Sequence, residues 1–315
     1  MCPVPAIKLT DDLGRTLVFV HPPRRVVSLV PSDTYSLIAL GAADRLVGRT
    51  KYCESPEAAH LPVVGGTKDV DVDAVIGLQP HLVIANQEEN TRVALEALAA
   101  RVPVLVSLPR RVNEGIAHLA RLARILGLGQ EDPARALIRR GYALRDRTVS
   151  PPDVDTPIEG LPVVEPQRRS KRETAPPVSD GRVRAFIPIW NNPLMTLNAD
   201  TFGSDVLVQC GISNVFGQRL RLYPLAADLG KAAPQDASGR DVRYPRISLF
   251  EVKERAPELV ILPDEPYAFG DADVQMFRDA LPNARIVKVS GKDLFWYGAW
   301  TIDAIDRLEK ELAQG

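Results

Sequence analysis

The chain has 315 residues, with 39 Lys and Arg against 40 Asp and Glu, for a net charge of −1. At 45% hydrophobic and 25% charged residues it has the composition of a soluble globular protein, long enough for one large α/β domain or two medium ones. The balanced charge excludes the basic surplus of a nucleic-acid reader or an anionic-membrane binder, and no apolar segment reaches transmembrane length.

The N-terminus, MCPVPAIKLTDDLGRT, holds no apolar stretch of signal-peptide length, so a cytoplasmic protein is expected. A periplasmic or lipid-anchored protein whose leader has been removed is the alternative. Cys2 sits where a lipoprotein would begin, although no polar linker follows it.

From Arg25 onward, apolar runs of strand length alternate with helical stretches, the pattern of βαβ units and a parallel sheet. The pattern occurs twice. The first copy opens with the strand Arg25 to Val30, the turn Pro31-Ser32-Asp33 and a helix from Thr34 to Leu40. The second opens with Arg184 to Ile189, followed by a helix near Thr201 to Gln209. Each copy then carries a helix ending in proline that runs straight into a buried strand. In the first copy these are Asp73 to Pro80 and then His81 to Ala85; in the second, Phe250 to Pro257 and then Glu258 to Leu262. Proline cannot extend the helix, and the continuous apolar run suits a strand covered on both faces. A last strand follows in each copy, at Val102 to Leu108 and at Ala284 to Val289. The second copy is longer by the polar loop between Tyr223-Pro224 and Tyr244-Pro245.

Between the copies, Ile116, Leu119, Leu122, Ile125, Leu126, Leu137, Ile138 and Tyr142 keep a helical period. A single helix over 112–149 would be about 50 Å long, enough to span two lobes side by side, with Gly127 to Pro133 as the place for a kink. Residues 150–182, rich in proline and charge, read as a disordered insertion whose basic run is a solvated loop. The expected architecture is therefore α/β, with two Rossmann-like lobes and parallel sheets joined by one long backbone helix. Its bounds are 1–111, 112–149 for the helix, 150–182 for the insertion and 183–315.

No enzyme constellation emerges. Val64 to Lys68 lacks the spacing of a phosphate loop, and no Gly-x-Ser-x-Gly elbow is present. The four histidines (His21, His60, His81, His118) stand singly, so no bare-metal site and no permanent cofactor are expected. Three cysteines, Cys2, Cys53 and Cys210, make no disulfide framework and point to a reducing compartment.

Ligands of α/β sheets gather at the carboxyl ends of strands. Those positions hold Ser32, Asp33, Tyr52 and Glu89 in the first lobe. In the second they hold Trp190, Asn191, Glu265, Tyr267, Trp296 and Tyr297. The aromatics supply faces for a large flat ligand, and the polar groups fix its orientation. The competing reading is that they are ordinary packing.

The chain resembles the helical-backbone metal-receptor class of substrate-binding proteins, which includes cobalamin- and siderophore-binding components of ABC importers. The landmarks are Asp12 to Arg15, Arg25 to Ser32, Gly65-Gly66-Thr67, Leu78 to Ala85, Cys210-Gly211 with Asn214-Val215-Phe216, and Tyr244 to Leu249. The resemblance implies a non-enzymatic monomer that holds one bulky metal chelate between its lobes with modest closure. A corrinoid is preferred over a siderophore or haem, because aromatics outnumber placed cations. Arg49, Lys51, Lys68, Arg219 and Arg221 are the cations available for an anionic chelate. The resemblance also implies a docking glutamate for an ABC permease on each lobe. The matching positions are Asp73, a shorter acid, and Phe250, which has no charge but neighbours Glu251. That departure points to an intracellular carrier or sensor, with an importer component as the alternative. Two further readings stand beside these: an interaction module with a vestigial cleft, and an enzyme on the same lobes, which would need cysteine ligands.

Overall fold

The computed structural model describes residues 6–148 and 181–314. The expected 150–182 insertion lies outside the described residues, apart from Gly181 and Arg182. A hairpin, β1 (Ile7–Thr10) and β2 (Thr16–Phe19), opens the chain. The first lobe follows as β3 (Val26–Ser28), α1 (Pro31–Ala39), β4 (Leu46–Arg49), α2 (Val72–Gly77), β5 (Leu82–Asn86), α3 (Arg92–Ala99) and β6 (Val104–Ser107). Two helices come next, α4 (Val112–Ile125) and α5 (Asp132–Thr148). The second lobe begins with β7 (Val183–Phe186), β8 (Pro188–Trp190), β9 (Met195–Thr196), α6 (Phe202–Gln209) and β10 (Ile212–Asn214). It ends with α7 (Leu249–Arg255), β11 (Leu259–Pro263), α8 (Asp271–Ala280), β12 (Arg285–Val289), α9 (Gly291–Phe295) and α10 (Thr301–Gln314).

The two main sheets are parallel, with spatial orders β4-β3-β5-β6 and β10-β7-β11-β12. Numbered within each lobe, both orders are 2-1-3-4, so the duplication read from the sequence is a duplication of topology. Strand side chains alternate between faces, and each central strand divides its residues accordingly. Leu82 and Ile84 of β5 join the core shared by both lobes, whereas Val83 and Ala85 pack beneath α2 and α3. Leu259 and Ile261 of β11 join the same shared core, and Val260 and Leu262 pack against the α7 and α8 side.

The proline-terminated helices repeat in detail. Asp71 and Ser248 cap α2 and α7 by accepting from Ala74 N at 2.9 Å and Glu251 N at 3.1 Å. Before each proline the chain turns through a positive φ, 50° at Gln79 and 42° at Ala256. A residue preceding proline is barred from continuing the helix, so the chain reverses there. The freed helix carbonyls are met by the arginine that opens each lobe: Arg25 reaches Leu78 O at 2.6 Å, and Arg184 reaches Arg255 O at 2.5 Å. The strand after each proline starts from the same arginine's backbone, with His81 N to Arg25 O and Glu258 N to Arg184 O both at 2.8 Å.

Residues 112–148 differ from the expected single helix. Gly127, with φ of 70°, ends α4, and Leu128 N bonds back to Ala123 O at 2.8 Å. Pro133 then starts α5, which folds back along α4 so that a Cβ at Gly141 would lie 3.0 Å from Ile116. The interruption read as a kink is a helix stop followed by a helix start. Both helices bridge the two halves: α4 touches β1 and α6, and α5 touches α1 and α10.

Candidate functional site

Side chains at the carboxyl ends of both sheets meet at the junction between the lobes, with Tyr297 on Asp33 and Tyr244 on Glu88. They divide into a buried junction and a cleft wall.

The junction is built around Tyr297 and Asp33. The Tyr297 hydroxyl donates to Asp33 Oδ2 at 3.0 Å, lies 2.9 Å from Ser107 Oγ, and accepts from Asn86 Nδ2 at 3.2 Å. His118 Nε2 lies 2.9 Å from Asp33 Oδ1, and both side chains are fully buried. With the proton on Nε2 the histidine donates to the carboxylate, which leaves Nδ1 as a buried lone pair without a partner among the described residues. Burial, and next the Asp33 charge, push the Tyr297 phenol well above its ordinary pKa. Gly298 makes the close fit possible: its φ is 81°, and a Cβ there would meet Ser36 Oγ at 2.5 Å. Ser32, Asp33 and Tyr297 were expected at the ligand, but their exposures are 4%, 0% and 5%. They face one another because they join the first lobe (α1, β5 and β6) to the turn after α9.

The remaining candidates form walls. On the second lobe Trp190, 43% exposed at the end of β8, meets Tyr267 edge to face at 5.4 Å. Asn191 is turned away, its amide donating to Asp273 at 2.6 Å. Glu265 and Trp296 are half-buried neighbours, and the strand end beneath them is tight. A Cβ on Gly291 would lie 2.3 Å from Glu265 Cγ, so only glycine admits this approach. On the first lobe Tyr52 is exposed, with the Lys51 ammonium 5.3 Å from its ring. Glu89 keeps solvent contact on the loop after β5.

Burial, and next the neighbouring Asp264 charge, raise the Glu265 pKa, with the Glu89 charge a lesser cause. For Glu89 too, desolvation is the largest cause of a raised pKa. A carboxyl whose folded pKa is raised binds its proton more tightly in the folded state. Its ionised form therefore subtracts from stability at pH 7, and the penalty vanishes once both states are protonated. Glu265→Gln should raise the thermal midpoint at pH 7. The gain should shrink as the pH falls toward about 4.3, the ordinary glutamate value. Midpoints measured at pH 7 and pH 4.5 test this, and a gain that grows on acidification would contradict it.

Two contacts clasp the walls. Lys292 Nζ reaches Glu54 Oε2 at 2.5 Å, and Tyr244 OH donates to Glu88 Oε1 at 2.9 Å with Arg243 pairing the same carboxylate. Glu88, Arg243, Tyr244 and Arg246 were not singled out as site residues. The Tyr244-Pro245-Arg246 segment was visible, but nothing local tells which lobe its side chains address. Asp73 and Glu251, the docking candidates, lie on α2 and α7. Asp73 is exposed beside Arg101, whereas Glu251 is held by Arg219 and Arg255. Among the described residues no group of three His, Cys, Asp or Glu is arranged to hold a metal ion, and no helix is long and apolar enough to cross a membrane.

The two lobes repeat one topology, and side chains from both meet at the junction between them. The comparisons agree. Residues 26–140 match the family model described as periplasmic binding protein. The vitamin B12-binding protein of Photorhabdus laumondii is 26% identical over 267 residues, covering 81% of this chain and 80% of its own length. The periplasmic vitamin B12-binding protein BtuF of Vibrio cholerae superposes with a TM-score of 0.63 at 20% identity, covering 93% of this chain and 98% of its own. The periplasmic haem-binding protein RhuT of a Roseiflexus species gives 0.64 at 17% identity, over 91% and 97%. Over residues 26–140 the chain is similar to the periplasmic binding proteins, and the solved neighbours share its fold. This overturns the cytoplasmic expectation: the family model that residues 26–140 match and the solved neighbours are of periplasmic proteins. Sparse cysteines and the form of the N-terminus were weak guides to compartment.

Proposed function

We propose that this protein binds one bulky metal chelate, foremost a corrinoid, in the cleft between its lobes and delivers it to an ABC permease. The observation that carries the reading is the set of strand-end aromatics, with Trp190 edge to face on Tyr267 and Trp296 next to Glu265 in the second lobe, and an exposed Tyr52 in the first. Rings of this size grip a macrocycle through its face. The curated relatives named as vitamin B12-binding proteins support it.

The state of the cations favours a corrinoid over an anionic siderophore. Arg49 spends its guanidinium on the carbonyls of Thr50, Cys53, Ala58 and Ala59. Lys51 pairs with Asp69, Lys68 reaches the Glu88 carbonyl, and Arg219 holds Asp228 and Glu251. Arg221 lies over the Tyr223 ring. A polyanionic chelate would have to break the pairings of Arg49, Lys51, Lys68 and Arg219, whereas the buried Arg221 Nε has no acceptor among the described residues. Haem ranks second, because Tyr244 offers a phenol on the cleft wall. Burial and the Glu88 charge hold that phenol protonated, which disfavours it as an iron ligand. The exposed Asp73 on α2 and Phe250, 71% exposed on α7, mark the surfaces that would meet the permease.

Tryptophan-fluorescence titration with cyanocobalamin, a ferric siderophore and haem, with inner-filter controls, tests the proposal. Saturable quenching is expected, strongest with cyanocobalamin. No saturable quenching by any of the three would overturn it.

A further inference from the structure

The polar loop of the second lobe returns as an extended segment alongside β9. Asn198 N bonds to Arg243 O at 2.9 Å, Thr196 N to Pro245 O at 3.1 Å and Ile247 N to Leu194 O at 3.0 Å. Met195 is bridged to Arg246 on one side and paired with Trp190 of β8 on the other. Residues paired across strands share a face, so Trp190, Met195 and Arg246 form one row. Tyr244, two positions before Arg246, shares that face. Its hydroxyl reaches Glu88 of the first lobe, which identifies the face as the cleft's. The opposite face, with Thr196, Pro245 and Ile247, is buried in the second lobe.

Arg246 is half-buried, and its Nε is sealed from solvent without an acceptor. Among the described residues no carboxylate or carbonyl meets any of its guanidinium nitrogens. Its neighbour Arg243 holds both Asp241 and Glu88. A guanidinium partly stripped of water and left without an acceptor is an unfavourable arrangement, and an oxyanion repairs it through charge-assisted, often bidentate hydrogen bonds.

We propose that Arg246 anchors a single anionic oxygen group, phosphodiester or carboxylate, carried at the edge of a chelate that stacks on Trp190. This rests on the chelate reading and sharpens it. A corrinoid with its nucleotide loop brings one phosphodiester; a tetrapyrrole brings carboxylates. Either would come to Arg246 while the macrocycle lies against the aromatic wall.

The test pairs ligands with and without the anion, and the Arg246 variants separate its contribution from that of the rest of the nucleotide loop. Cyanocobalamin is set against dicyanocobinamide, which lacks the phosphodiester, and haem against its dimethyl ester, each titrated into wild type, Arg246→Gln and Arg246→Lys. Wild type should bind the charged member of one pair about tenfold to a hundredfold more tightly, the range of a charge-assisted hydrogen bond. Arg246→Gln should abolish that preference while leaving the neutral member within about twofold, since that ligand offers Arg246 no anion. Arg246→Lys should restore part of it, as a point charge without the planar fork. The pair that responds identifies the anion as phosphodiester or carboxylate. Arg246→Gln weakening both members of a pair equally would make Arg246 a structural residue, and no change in either would remove it from the site; both results overturn the inference and leave the chelate reading intact. Wild type binding none of the four chelates overturns both.

Discussion

Tyr297→Phe is expected to destabilise the folded protein by about 2 to 3 kcal/mol, the range for losing a hydrogen bond to a charged group together with its neighbours' partner. The substitution keeps the ring that packs edge to face on His118 and Phe202, so no cavity confuses the result. What it removes is the donor to Asp33 and the shared oxygen between Asn86 and Ser107. Asp33 is fully buried and would retain His118 as its side-chain donor. Chemical denaturation of Tyr297→Phe, Asp33→Asn and the double variant gives the coupling between the pair. A coupling above about 1 kcal/mol is expected for directly bonded groups in one network. A loss below about 0.5 kcal/mol for Tyr297→Phe, the ordinary effect of a surface change, would show that the junction does not depend on this contact.

Trp190→Ala is expected to show the opposite profile, with stability nearly unchanged and affinity for the chelate lowered about thirtyfold or more, as when a central aromatic anchor is truncated. Trp190 is 43% exposed and its ring contact is with Tyr267, so the folded chain loses little. The ligand loses a stacking face. Phe250→Ala is the matched control: it removes a ring that is 71% exposed on α7 and should leave affinity unchanged. Quenching titrations read through Trp296 and Trp300 report both variants. Unchanged affinity in Trp190→Ala would move the ligand away from this wall.

Much of the molecule was legible because its signals are local. The strands His81 to Ala85 and Glu258 to Leu262 announce themselves as unbroken apolar runs behind a proline, and both fold as central strands of parallel sheets. The pairing of Arg25 with Arg184 at the head of each copy also held, down to the helix carbonyls they bind. The candidate site was legible only as a set of strand ends. Asp33 and Trp190 both follow a first strand, yet one is fully buried and the other is open.

The sequence alone determined the duplicated α/β architecture, because hydrophobic periodicity, caps and prolines act within a few residues of themselves. Tertiary structure decided which strand-end side chains close the junction and which are left to line the cleft. Asp33 is answered by Tyr297, 264 positions away, and by His118, 85 positions away. Tertiary structure likewise folded α5 back along α4 and left Arg246 facing the cleft without an acceptor. A side chain's direction depends on partners that only the folded chain brings within hydrogen-bonding distance, and no local pattern encodes them.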